Sequence, residues 1–387
     1  MQQGISKYIA AETEGISYSC QKFCLDNIEI SGFNYDDPVN ITVKRYGETE
    51  KLRDSRDLSA KTIQIKKFAK PIFRFFLDGS KRTYKVDDVA YGSRVYPIVA
   101  GQIGVGCCER IEKEIHSKLL YNSIVLSLPE KACTTNRKTL FFNNLTAKLN
   151  QHSILQSRNL KIKKCLFYED KNLQQGERYE NLAIATIQDE MIEQEKKIVA
   201  DLVMQNLLSE DAYLFKDGSL EYKTMAEGNY RDLSLIKSNY KRVVGVSKSF
   251  NPEKCIDEHG KSNAKYIVQL PLFHRTPAYL YESNLSKGIE GIVKFAIWYI
   301  RIREAKYTNS PFDGLVKVEK ILVNEREQEK GLLSEEVDLI SANIINERNP
   351  VCYGKDGRWA NTLYPIYLTS RYIESKYIGS QHFLNLF

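Results

Sequence analysis

The chain has 387 residues, 42% of them apolar, 27% charged and 11% aromatic, and its 56 Lys and Arg against 49 Asp and Glu give a net charge of +7. This is too apolar and too aromatic for a disordered chain and long enough for a sizeable core; no run approaches the roughly 18 apolar residues of a membrane helix. The mild basic surplus permits a polyanionic partner without requiring one.

The first 60 residues read as an N-terminal extension with short strands or loops over 16–46, including IEISGF and VNITVKRY. The compact run PIFRFFL at 71–77 reads as a buried strand stopped by a turn at Asp78-Gly79-Ser80. RTYKVDDV and SRVYPIVAGQIGVG continue a meander, with a tight strand turn at Gly101–Gly106. That glycine run has neither the GxGxxG spacing nor the GK[ST] of a nucleotide-binding loop. Residues 109–120 look helical, and the stretch 109–182 reads as a helical insertion containing a strand at SIVLSL.

The strongest helix signal is AIATIQDEMIEQEKKIVADLVMQNLL at 183–208. Strand-like runs follow at AYLF, RVVGVSKSF (242–250), KYIVQLPLF (265–273), IVKFAIWYIRI (292–302) and LVKVEKILV (315–323), then helices at 333–347 and about 368–384. Pro and Gly are spread evenly, so 61–387 reads as one domain. Its fold class is α/β, a mixed sheet flanked by helices with insertions.

Eight cysteines at 20, 24, 107, 108, 133, 165, 255 and 352 form no CxxC pair, which argues against structural zinc and for a reducing, cytoplasmic compartment. The five histidines are dispersed, with no HExxH, and no GxSxG nucleophile elbow occurs.

Carboxylates carry the chemical signal. Two apolar strands end alike, in Asp78-Gly79-Ser80 and Asp217-Gly218-Ser219. Each alone reads as a turn; together they place two aspartates at a sheet rim, where ligands collect. At about 100° per residue, Ile184, Ile187, Met191, Ile198, Val199 and Leu202 share one face of the long helix, with Glu195 in its middle. Glu190, Glu193 and Asp201 fall outside it. A lone carboxylate in an apolar stripe must be paired, protonated or bound to a cation. Asp78, Glu195 and Asp217 would make a hard oxygen set suited to Mg²⁺ or Mn²⁺, and two such ions about 4 Å apart clamp a phosphodiester.

The two Asp-Gly-Ser strand ends, the long helix before the second, VVGVSKS, the pair WYIRI…VKVEK and the segment Trp359–Leu368 together resemble the NurA nuclease family, from about Phe73 to about Tyr377. The resemblance implies a ribonuclease H-like core and Mn²⁺- or Mg²⁺-dependent cleavage of DNA, single-stranded or at duplex ends. It also implies a homodimer and partnership with a HerA-like hexameric ATPase in end resection or repair. Asp78 and Asp217 match the family's aspartates. Glu195 is assigned as the helix glutamate on the facing argument. Lys248 matches a lysine placed to contact the scissile phosphate, and Tyr364 a tyrosine near the active site. The family usually carries a His or Asp where this chain has Tyr372; Glu374 or His382 could reach in from the same segment.

Candidate contacts to DNA are Arg275 in His274-Arg275-Thr276-Pro277, Lys66 and Lys67 in KTIQIKKFAK, and Lys161 and Lys163 in RNLKIKK. The expected function is therefore a metal-dependent DNA nuclease. The rival reading is a catalytically weakened DNA-binding or scaffolding subunit, motivated by Tyr372. The apolar ending Phe383-Leu384-Asn385-Leu386-Phe387 suits either docking on a partner or capping the core.

Overall fold

The computed structural model describes residues 4–27, 41–44, 46–170, 178–221, 237–288, 291–308, 310–348 and 359–387. Residues 28–40 of the expected N-terminal extension, and Cys352, lie outside the described residues.

The centre is an antiparallel meander of three long strands, β1 (Phe73–Tyr91), β2 (Arg94–Ile111) and β3 (Glu114–Pro129), with β4 (Ile162–Tyr168) parallel to β3 at the edge. On its other side β1 pairs in parallel with β5 (Tyr213–Asp217), and β5 with β6 (Val243–Ser247). The sheet then turns antiparallel through β9 (Leu315–Ile321), β8 (Gly291–Arg301) and β7 (Tyr279–Gly288). Helices α1 (Ser59–Phe68), α2 (Lys138–Leu149), α3 (Tyr179–Met204), α4 (Ser334–Asn346) and α5 (Tyr364–Glu374) flank it. This is the mixed α/β sheet with flanking helices that the sequence predicts. No helix among the described residues is long and apolar enough to cross a membrane.

Three local expectations are corrected. Asp78-Gly79-Ser80 is not a turn: these residues pair with Gly106, Val105 and Gly104, and the ladder carries β1 straight through them. Residues 109–120 are not a helix. Glu109, Arg110 and Ile111 pair with His116, Ile115 and Glu114 across a hairpin whose corner places Glu112 at φ +55°. Residues 265–273 are not a strand either. Ala264–Val268 is a helical turn, and buried Ile267 and Leu270 recur at helical spacing.

The glycine run is a fourth correction, since Gly101, Gly104 and Gly106 lie inside β2. A Cβ on Gly101 would stand 2.9 Å from Ile187 of α3, and one on Gly106 2.8 Å from Ile373 of α5. On Gly104 it would overlap Ile373 outright. Absent side chains thus let one helix seat on each face of the strand. Gly104→Ala is expected to cost about 1–3 kcal/mol, the usual penalty for overpacking, measured by urea denaturation.

The predicted apolar face of α3 is confirmed by burial of Ile187, Ile198, Val199 and Leu202. Glu190 departs from its expected exposed placing: it is buried, with Lys164 Nζ at 3.0 Å and Lys163 Nζ at 3.6 Å. The apolar C-terminal residues cap the core. Phe383, Leu386 and Phe387 are buried against Ile5, Ile9 and Tyr84.

Candidate active site

Strands β5 and β6 run side by side in parallel, with Val246 opposite Asp217, so Asp217 and Lys248 emerge together at their carboxyl ends. The pairing of β1 with β5 ends at Leu77 and Lys216. Where the two strands part, a cavity of 580 Å³ opens, lined among others by Asp78, Glu195, Lys216, Asp217, Lys248 and Ser370. Crevices at the carboxyl ends of parallel strands are where open α/β sheets bind ligands.

Three expected carboxylates therefore share one cavity. Asp78 comes from mid-β1, Glu195 from α3, and Asp217 from the end of β5. Gly79 makes the approach of Glu195 possible, because a Cβ there would overlap the Glu195 carboxylate. Gly218 follows Asp217 at φ +85°, a backbone region that favours glycine, and swings the chain out of the sheet. Buried Glu319 of β9 secures that exit by accepting from Ser219 Oγ at 2.8 Å and Leu220 N at 2.7 Å.

Two lysines balance the acids. Lys248 Nζ lies 2.8 Å from Asp217 Oδ2. Buried Lys216 places Nζ 3.0 Å from Glu195 Oε2 and donates to the Asp217 carbonyl at 2.8 Å. Asp217 Oδ1 is buried without a hydrogen-bond partner among the described residues. Burial, then the Asp217 carboxylate and Glu195, push Asp78 up to about 7, against the pull of Lys248 and a hydrogen bond from Ser370. Burial also raises Glu195, with Lys216 opposing it.

Among the described residues no three His, Cys, Asp or Glu side chains stand close enough to form a ready metal cluster. Strand geometry explains this. Asp78 faces Ser370 on α5, whereas the next position, Gly79, faces Glu195 on α3. The two acids thus reach the cavity from opposite sides of β1. The donor chemistry still fits a hard cation: three carboxylates in one polar cavity, one of whose oxygens is buried and unsatisfied.

Other predicted residues are placed elsewhere. Arg275 cannot touch a phosphate. It is fully buried, with both terminal nitrogens on Glu48 or Asp338, at 2.8 and 2.7 Å. Tyr364 opens α5 but lines a different cavity. Tyr372 is partly buried, with Lys376 Nζ 5.0 Å from its ring centre, and the same helix instead sends Ser370 and Glu374 into the carboxylate cavity. His382 is exposed on the following helix. Lys66 and Lys67 are exposed on α1, Lys161 just before β4 and Lys163 on it; none of the four lines the carboxylate cavity.

Lys216, Ser370 and Asn361 were not legible as site residues. Asn361 Nδ2 donates to the Lys248 carbonyl at 2.7 Å, which ties the Trp359–Leu368 segment to the exit of β6. For Lys216 a signal existed. In Tyr-Leu-Phe-Lys-Asp every position before Asp217 is buried, so an inward lysine needs an acidic partner.

No protein-family model matches this chain, and no curated protein does. Among solved structures, the crystal structure of the NurA nuclease from Sulfolobus solfataricus is similar over 77% of each chain, with a TM-score of 0.34 and 10% identity.

Proposed function

We propose that the protein is a metal-dependent nuclease acting on DNA. The observation that supports this reading is the gathering of Asp78, Glu195 and Asp217, with Lys216 and Lys248, in one polar cavity at the carboxyl ends of β5 and β6. Asp78 and Asp217, with Glu195 behind them, would hold Mn²⁺ or Mg²⁺. Such an ion, when bound, activates a water and offsets charge on the phosphate.

The chain's own residues set the conditions. Lys248 is a point charge 2.8 Å from Asp217, within reach of a phosphate oxygen at the same place. Lys216 neutralises Glu195 and fixes its direction. Ser370 orients the Asp78 carboxyl. Because Asp78 holds its proton up to about pH 7, a cation entering there competes with that proton.

Incubation with Mn²⁺ and labelled single-stranded or blunt duplex DNA is expected to give degradation that EDTA stops. Intact DNA at micromolar protein would overturn the reading. The lysine-capped acids favour one alternative, a weakened DNA-binding or scaffolding subunit. Calorimetric titration with Mn²⁺ separates the two, since no heat below millimolar metal favours the scaffold. Assembly as a homodimer with a HerA-like hexameric ATPase is part of the nuclease proposal.

A further inference from the structure

A second cavity, of 870 Å³, lies at the other end of α5. Its walls carry five Lys and Arg against two Glu: Lys66 from α1, Arg110 and Lys113 from the β2–β3 hairpin, and Arg303 and Arg348. Glu347 takes Arg110 in a bidentate pair, at 2.7 and 2.6 Å, which spends one acid and holds that guanidinium in place. His116 also lines the cavity, with Nε2 3.2 Å from Glu114. Lys66 and Lys113 are exposed at the walls.

Helix α5 joins this cavity to the carboxylates. Its first five residues supply Tyr364, Pro365 and Leu368 to the basic cavity, and its later turns supply Ser370 and Glu374 to the acidic one. Tyr364 and Tyr367 remain 45% and 41% exposed, three residues apart on one helix face. The Arg371 guanidinium lies 5.4 Å from the Tyr367 ring centre. Six residues separate Tyr364 from Ser370, about 9 Å along the axis at 1.5 Å per residue. A single strand of a few nucleotides is long enough to cross that distance. The amino end of the helix also adds positive partial charge to the basic side.

We infer that the basic cavity binds the phosphate backbone of a single-stranded nucleic acid, laid along α5 toward the carboxylates with unpaired bases stacked on Tyr364 and Tyr367. The inference rests on the nuclease reading for the direction of the strand but not for the binding itself. Duplex is disfavoured because paired bases cannot offer their faces to the tyrosines. A basic wall without exposed aromatics would take either form.

The test is fluorescence anisotropy in EDTA with a labelled oligo-dT and a labelled duplex of equal length. Lys66→Glu combined with Lys113→Glu is expected to weaken oligo-dT binding about tenfold or more. It should also lower the salt slope by about 1.4, at about 0.7 per lost phosphate contact. Tyr364→Ala is expected to weaken oligo-dT and leave duplex unchanged. All three positions are exposed or half-exposed, and circular dichroism confirms the fold of each variant. Wild-type affinity in the charge-reversed variant would overturn the proposal, as would no oligo-dT binding by the parent chain. Asp78→Asn separates the two readings: binding kept and cleavage absent from parent and variant alike retains the cavity and refutes the nuclease.

Discussion

Asp78→Asn is expected to leave the chain folded and to cut Mn²⁺-dependent DNA cleavage by about a thousandfold or more. The estimate follows from losing several kcal/mol of charge stabilisation at about 1.4 kcal/mol per factor of ten. The amide keeps the shape of the side chain and its contact with Ser370 but removes the negative charge. The same substitution carries a stability signature. In the folded chain Asp78 titrates at about 7, against an ordinary 3.8. Between those values the folded state binds more protons than the unfolded one, so this group's contribution to stability falls as pH rises through that window. In EDTA the parent chain should therefore gain stability from this group on moving from pH 8 to pH 5. Asp78→Asn should lose that dependence and be the more stable protein at pH 8. Thermal denaturation at the two pH values reads both effects. Equal pH dependence in parent and variant, with cleavage unchanged, would remove Asp78 from the site.

Arg275→Met should cost about 3–5 kcal/mol in folding free energy, the penalty for breaking a buried ion pair by removing one partner. Arg275 is fully buried among Glu48, Asp338 and the Thr276 carbonyl. Its loss strands the Glu48 carboxylate, which among the described residues would keep only the Ala278 amide at 2.7 Å. Asp338 retains Arg56 at 2.9 Å, so Glu48 bears most of the damage. Pairing the change with Glu48→Leu should recover most of the loss, because an apolar replacement of a whole buried pair is often close to neutral. Urea denaturation measures both variants. A loss below about 1 kcal/mol in the single variant would show that this network is not needed for folding.

Arg275 also marks a limit of reading by chain order. In His-Arg-Thr-Pro it looks like a loop cation available to phosphate. Its partners Glu48 and Asp338 lie 227 and 63 residues away, and nothing local announces them. The same limit governs the site. Glu195 was legible because helix periodicity is local: a charge in an apolar stripe shows itself within two turns. Asp217 was legible as a strand end. Asp78 does line the cavity, but the turn read there is absent: Asp-Gly-Ser favours a turn, and its ladder partners on β2 keep the strand extended. Ser370 and Asn361 needed the tertiary fold. So did Tyr372, whose place in sequence suggested a ligand while its neighbours on α5 face the cavity instead. The fold class came from the alternation of elements. The lengths of β1, β2 and β3 did not, because pairing rather than propensity carries strands through glycines and charges.

Gly79, Gly104 and Gly106 shape this centre by subtraction. One admits the Glu195 carboxylate to the strand, and two let Ile373 settle α5 where Ser370 meets Asp78. A scan that trims side chains to alanine removes nothing at these positions and would register them only as intolerant of growth. The contour of the centre is therefore partly encoded in volume left empty, and a survey that adds atoms stepwise would map it where a survey of deletions stays silent.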